Sequence, residues 1–428
     1  MKKKIPVQDL QHGMYVSELV GRHWRDTPFL FQGFEIHTDE EIQEIRKYCE
    51  HVLIDTEQGY DISSKPRRPV PISPQKKAEP DELTREPIIN LEKVVESFAP
   101  WHHRVPRYKD ATVLEEEISY AKKATIQTRE AVYNIMGDVR LGRSIDTNVA
   151  KKVVADMVDS VIRNPDALMC LNQLKNKDEY TALHSLRVCV LALAFGRHLD
   201  LSDEELNVLG LGALLHDVGK MKVPNDIINK PGKLTEEEFN LMKSHVPHGV
   251  TILEETHGIP STAIDVARYH HERYAGGGYA MGAKGEQIGL FGTVGAIVDC
   301  YDAITSDRSY HVGMSAHDAL KKMYSWRGKD FQPVMIEQFI QCMGIYPIGS
   351  VVELHNGCVG VVISVNRERR LLPKVALVLN TDKQPFSSVR VIDLMDYSER
   401  RNRDMEIRKV LPPGEYGVLP TKYIPLGN

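Results

Sequence analysis

The sequence predicts a multi-domain chain that is mainly an all-α helical bundle. It also predicts a small α/β or β-rich N-terminal module and a short β C-terminal appendage. Three observations carry this. Apolar residues recur at spacings of three and four from about residue 111 to about 345. Period-two runs lie before residue 60 and after Tyr346-Pro347. A stretch rich in Pro, Ser and charge separates the first module from the helices. At 428 residues the chain exceeds one domain of about 100–200 residues.

The elements follow in order. Residues 1–60 read as the N-terminal module. IPVQDLQHGMYVSEL alternates around Gly13, and FLFQGFEI reads as strand, turn, strand. DEEIQEIRKYCEHVLID reads as a short amphipathic helix entering a strand, with Ile42, Ile45 and Tyr48 on one face. Residues 61–92 lack periodicity and read as linker. The helical domain spans 111–345. Its first helix lies in DATVLEEEISYAKKATIQTREAVYNIMGDV, and others are expected at about 146–163, 181–199, 203–216, 235–255 and 261–271. Asp146, Ser202, Thr235 and Ser261 are candidate N-caps. Glu205 and Glu238 complete capping boxes with Ser202 and Thr235. Residues 346–428 form the β appendage: a hairpin turns at His355-Asn356-Gly357, and VALVLN and VRVIDL add strands.

Composition narrows the function classes. A net charge of −5 gives no general affinity for a nucleic acid polymer, although a local basic pocket for a small anion is compatible with it. The six cysteines form no CxxC pair, so neither a zinc ribbon nor a disulfide framework is expected, and a reducing cytoplasm fits. MKKKIPVQDL lacks an apolar h-region, so no signal peptide is expected. No membrane span is expected, for want of a run of ~18 apolar residues.

Seven residues stand apart: His184, His216, Asp217, His245, His270, His271 and Asp299. Each falls in or at the end of an expected helix, one helix and a connection from the next. A bundle can aim such side chains at one point, which is how bundles build metal centres. Neutral imidazoles and carboxylates without thiolates suit Fe, Mn, Co, Ni or Zn. Asp217, directly after His216, can offer a carboxylate to two ions, and paired ions suit phosphoryl transfer. A lone histidine on an apolar face is ordinarily a satisfied core residue. His198 accordingly reads as surface, and His102 and His103 as structural. His248 shares a face with His245 and is a weaker candidate ligand.

HDVGK, VPNDIINKPGKLTEEEFNLMKSH, YHHER, GY and VDCYDAITSDRSY, in this order and spacing, resemble the HD-GYP branch of the HD phosphohydrolase superfamily. The resemblance covers about 175–345, and residues 4–60 resemble a small domain of unknown function often placed ahead of HD-GYP domains. It implies an HD-type helical bundle, a metal centre and hydrolysis of cyclic di-GMP, with pGpG or GMP as the end product. Carried over by position, the seven residues match the metal ligands, with Asp217 bridging two divalent ions. Fe or Mn is favoured, with Ni, Co or Zn as alternatives. His216, Asp217 and Lys220 match the catalytic group. Lys220 and Arg308 match substrate contacts, and the retained Tyr279 reads as a base-stacking or pocket-closing ring or as core packing. A glutamate that brings a third metal in some members would stand at Tyr180, so two metals are expected.

HHERYAGGGYAMG departs from the family form HHExxDGxGYPxG: Ala275 replaces the aspartate and Ala280 the proline. Loss of the aspartate is expected to remove a partner that orients an imidazole. Loss of the proline is expected to loosen the loop and to alter contact with diguanylate cyclase domains. Glu272 reads as orienting a ligand or as a partner of Arg273. Three functions are therefore open here: cyclic di-GMP phosphodiesterase, non-catalytic receptor, and phosphohydrolase on another cyclic dinucleotide.

Overall fold

The computed structural model describes residues 2–22, 24–27, 29–60, 107–173, 180–307, 313–366, 369, 371–398 and 403–424. The expected linker at 61–92, His102, His103 and Arg308 lie outside them. The chain divides into two compact units, Met1–Glu86 and Pro87–Asn428.

The first unit holds an antiparallel sheet of β1 (Lys2–Pro6), β2 (Tyr15–Leu19), β3 (Phe34–Glu35) and β4 (His51–Asp55), in the order β1-β4-β2-β3. Helix α1 (Asp39–Arg46) starts with a capping box between Thr38 and Glu41. Ile42 and Ile45 face a core with Ile5, Val16, Val52 and Ile54. The expected strand at the start of FLFQGFEI is absent: only Phe34–Glu35 pairs, with Val16 and Tyr15 of β2. Leu30 and Phe31 are instead buried, and Phe29 packs edge-on to Trp24 at 6.0 Å. Side-chain burial there outweighs strand pairing.

The second unit is helical and ends in a sheet. Helix α2 (Leu114–Arg140) buries a stripe from Leu114 through Ile118, Ala121, Val132 and Ile135 to Val139. It packs on α3 (Thr147–Arg163), whose cap is Asp146 as expected. Glu117 lies on the buried stripe, where Arg163 donates to it at 2.7 and 2.9 Å and Ser160 Oγ at 2.7 Å. Every residue of α4 (Pro165–Asn172) is buried, as a helix apolar on all sides requires. Next come α5 (Tyr180–His198) and α6 (Asp203–Leu215), the latter with the expected Ser202–Glu205 capping box.

The single helix expected at 235–255 is two: α7 (Glu236–Lys243) and α8 (His245–Glu255). Pro247 explains the break. It has no N–H for the Lys243 carbonyl, and its ring excludes a continuous helix through that position. The Thr235–Glu238 capping box is present. Helix α9 (Ser261–Tyr269) is capped by Pro260 rather than Ser261, because Pro260 already holds the extended entry conformation. Helices α10 (Gly289–Thr305), α11 (Ala316–Ser325) and α12 (Pro333–Met343) complete the bundle. Gly285–Thr305 is long and apolar enough to cross a membrane by composition, contrary to the expectation that no such run exists. It is 72% buried inside the protein and delivers Asp299 and Asp302 to a polar cluster, as a core helix does.

The appendage is an antiparallel sheet of β5 (Val351–Leu354), β6 (Val359–Ser364), β7 (Lys374–Leu379), β8 (Pro385–Asp393) and β9 (Ile407–Leu411), in the order β8-β7-β6-β5-β9. Its hairpin turns where the sequence predicts. Ser364 Oγ donates to Asp166 at 2.6 Å, and Cys170 Sγ to the Ile363 carbonyl at 3.5 Å, so the sheet rests on α4.

Glu117→Ala should lower stability by about 1–3 kcal/mol, because it leaves the Ser160 hydroxyl and the Arg163 fork without their acceptor. Urea unfolding checks this, and Glu117→Gln should recover part of the loss.

Candidate metal centre

Five helices deliver the seven predicted residues to one place. His184 lies in the first half of α5. His216 is the C-cap of α6, and Asp217 opens the 3-10 turn that follows. His245 is the first residue of α8. His270 is the C-cap of α9, with His271 next in the chain. Asp299 comes from the middle of α10. Gly219 allows this convergence: a Cβ there would stand 1.9 Å from the His245 carbonyl oxygen and 2.4 Å from the Gly249 nitrogen. Only glycine lets the HDVGK turn lie against α8.

The donors form two groups that share Asp217. In the first, His184 Nε2 lies 3.0 Å from Asp299 Oδ1 and 3.4 Å from Asp217 Oδ2, while His216 Nε2 is 3.3 Å from that same Asp217 oxygen. In the second, Asp217 Oδ1 lies 3.5 Å from His245 Nε2 and 3.9 Å from His270 Nε2. His271 joins His245 and His270, with ligand atoms within 4.8 Å of one another. Each oxygen of Asp217 thus faces different imidazoles.

Ring orientation is fixed from behind. The Nδ1 atoms of His216, His245 and His270 lie 2.8, 2.6 and 2.9 Å from the carbonyl oxygens of Ala213, Met242 and Ala267. His184 Nδ1 lies 2.7 Å from the Asp302 carboxylate. An N–H donated at Nδ1 leaves the Nε2 lone pair facing the cluster. His216 Nε2 and Asp217 Oδ1 are buried and make no hydrogen bond. Unsatisfied buried acceptors are costly, and a cation would satisfy both.

The protonation states suit a cation. Burial pushes His245 down to about 4 and His271 down to about 3, and it holds His270 well below the usual imidazole value. Burial opposes charge on Asp217 and Asp299, but Lys220 and the histidines hold the first, and His184 the second, well below the usual carboxylate range. Burial likewise opposes charge on His184, yet hydrogen bonds with Asp217, Asp299 and Asp302 carry it well above the usual value. The ionised carboxylates therefore draw positive charge into the pocket, onto His184 itself, while His245, His270 and His271 stay neutral.

The remaining sequence candidates divide. Lys220 Nζ is hydrogen-bonded to Asp217, within the cluster. Tyr279 stacks on His271 at 4.5 Å between centroids and meets Phe239 edge-on at 6.0 Å. His248 is exposed and joins none of the donor groups. His198 is half-buried rather than a surface residue, because its Nε2 lies 3.0 Å from Gln338 Oε1. Of the pair behind His184, the side chains of Arg187 and Asp302, sequence reasoning found neither. Their signal was spacing: HSLR and DCYD each place a charge three residues beyond a ligand.

Glu272 bonds to backbone amides, and its carboxylate forms no ion pair with Arg273. It is fully buried, and its Oε1 accepts from the Met281 and Gly282 amides at 2.7 and 2.8 Å. Gly278 permits this clamp, since a Cβ there would stand 2.4 Å from Glu272 Cα. The Tyr274 and Ala275 amides donate to the Asp330 and Lys329 carbonyls, and the Gly285 amide to Tyr274. The loop is thus tied at both ends without the proline. Ala275 is exposed, and the partners of His184, His216, His245 and His270 come from elsewhere. The expected loss of an imidazole partner therefore does not apply to these four rings.

A helical bundle that brings histidines and aspartates from an HD pair and four other segments to one buried cluster defines an HD-type metal-dependent phosphohydrolase. Comparison with known proteins agrees. The family model described as HD domain matches residues 166–334. A domain of unknown function, DUF3391, matches 2–150, and a KOW domain associated with HD domain matches 351–416. The chain is 37% identical over 396 residues to cyclic di-GMP phosphodiesterase PA4108 of Pseudomonas aeruginosa, covering 92% of this chain and 89% of the relative. It is 30% identical over 171 residues to the 3'3'-cGAMP-specific phosphodiesterase 2 of Vibrio cholerae, or 40% of this chain and 33% of that one. Among solved structures, Bd1817, a HDG"Y"P protein from Bdellovibrio bacteriovorus, matches 79% of this chain and 98% of its own at 16% identity and a TM-score of 0.45. The chain belongs to the HD-GYP family of HD-domain phosphodiesterases.

Two outcomes are expected from the geometry. Gly219→Ala should lower bound metal per chain sharply, read by elemental analysis, because α8 and its His245 must move away. Glu272→Ala should speed hydrogen exchange at the Met281 and Gly282 amides at least tenfold, with Glu272→Gln in between.

Proposed function

We propose that the chain is a phosphodiesterase that hydrolyses cyclic di-GMP, to pGpG or to GMP, using two divalent transition-metal ions. The observation that carries this is Asp217, whose two oxygens face two separate histidine groups. Likeness over nine-tenths of the chain to a cyclic di-GMP phosphodiesterase supports the substrate. Fe or Mn suits the nitrogen and oxygen donors, with Ni, Co or Zn as alternatives. When bound, the ions would supply Lewis acidity and an activated water.

The chain's own residues do the rest. His184, His216 and Asp299 would hold one ion, and His245, His270 and His271 the other, with Asp217 between. Lys220 adds a cation beside Asp217 that would pair with a substrate phosphate oxygen. Tyr279, stacked on His271, gives the site an aromatic wall. Arg308 is proposed as a further phosphate contact from its position in the sequence.

Contact of the altered loop with diguanylate cyclase domains is proposed from the family resemblance alone. Six free cysteines support a reducing compartment, and the cytoplasm is the proposed location.

Anaerobically purified protein loaded with Fe(II) or Mn(II) should cleave cyclic di-GMP, and the double variant His216→Ala, Asp217→Ala should lose cleavage by at least 10³-fold, on the order expected when a metal site is removed. A panel including 3'3'-cGAMP sets the preference. Cleavage of neither nucleotide by protein with both ions bound would overturn the reading.

A further inference from the structure

Asp302 and Arg187 stand directly behind one metal ligand. Arg187 Nε donates to Asp302 Oδ1 at 2.6 Å and its Nη2 to Oδ2 at 2.9 Å, while His184 Nδ1 reaches that second oxygen at 2.7 Å. All three residues are buried. His184 and Arg187 are three apart on α5, and Asp299 and Asp302 are three apart on α10. The same two helices therefore meet twice, through the ligands His184 and Asp299 and, one turn on, through Arg187 and Asp302.

His184 differs here from the other three oriented histidines. Their Nδ1 atoms face neutral backbone carbonyls, whereas His184 faces a carboxylate. A carboxylate behind an imidazole fixes its tautomer and raises its basicity as a ligand, and its loss typically costs about 10–100-fold in metal affinity. The Arg187 fork holds Asp302 ionised and in plane, so the carboxylate stays available to His184.

We infer that Arg187 and Asp302 form a positioning pair that makes the two metal positions unequal, so that the ion held by His184, His216 and Asp299 binds more tightly than the ion held by His245, His270 and His271. The inference rests on the two-metal reading above. Neither residue touches the reacting atoms; both act through His184.

The test uses the full chain loaded with Co(II), whose visible spectrum reports each ion's ligand field, and titrated with a chelator. Wild type should release two ions in two steps. Asp302→Asn keeps the shape and an acceptor but removes the charge. It should shift only the tighter step, by about 10–100-fold, and change only that ion's absorption bands. Arg187→Lys, which keeps a cation but not the fork, should shift the same step by less. Thermal unfolding of the metal-free proteins separates this from a folding defect, which would move both steps together. Two ions in wild type with both steps shifted equally, or neither shifted, in the variants would overturn the inference alone. Fewer than two ions in wild type would overturn the two-metal reading, and the inference with it.

Discussion

The buried carboxylate of Asp217 is the constraint around which the helical unit is arranged. It is fully buried, and an isolated charge in that position would be neutralised rather than tolerated. It stays ionised because Lys220 and four imidazoles surround it. Those partners come from α5, the α6 end, α8 and the α9 end, so the charge of Asp217 is compensated in its buried position only when four helices are in register.

That register is set by features with no chemistry of their own. Gly219 lets the HDVGK turn touch α8. Pro247 ends α7 one residue before His245, so His245 occupies the first position of a new helix. His216 and His270 are both C-caps, where the chain leaves the helix and can carry the next residue, Asp217 or His271, into the cluster. A ligand doublet at a helix end therefore supplies two donors from one element, which explains how five helices provide seven ligand candidates.

The sequence made the ligands legible because each is a residue type rarely buried without a partner, placed at a helix end with regular spacing. It made the capping boxes at Ser202 and Thr235 legible because caps are local. Arg187 and Asp302 were not legible, since a charged pair three residues beyond a ligand reads as a solvated helix face until both helices are seen to bury it. The loop-holding bonds of Glu272 were not legible for a related reason: its partners are backbone amides nine and ten residues away, and amides leave no mark in a sequence. The first half of FLFQGFEI failed as a strand because β patterning does not distinguish pairing from packing, and Leu30 and Phe31 pack.

The altered GYP loop shows how a motif can change while its site persists. The two substitutions, at Ala275 and Ala280, fall on exposed positions. The partners behind His184, His216, His245 and His270 lie on helices, only His271 stacks on the loop through Tyr279, and what holds the loop is Glu272 and backbone hydrogen bonds to the 329–330 segment. Ligand orientation and loop geometry are thus separate dependencies. A substitution on the loop's outer side can alter what approaches the site without disturbing what the site binds, whereas a change at Asp302 or Gly219, far from the named motif in appearance, reaches the centre directly.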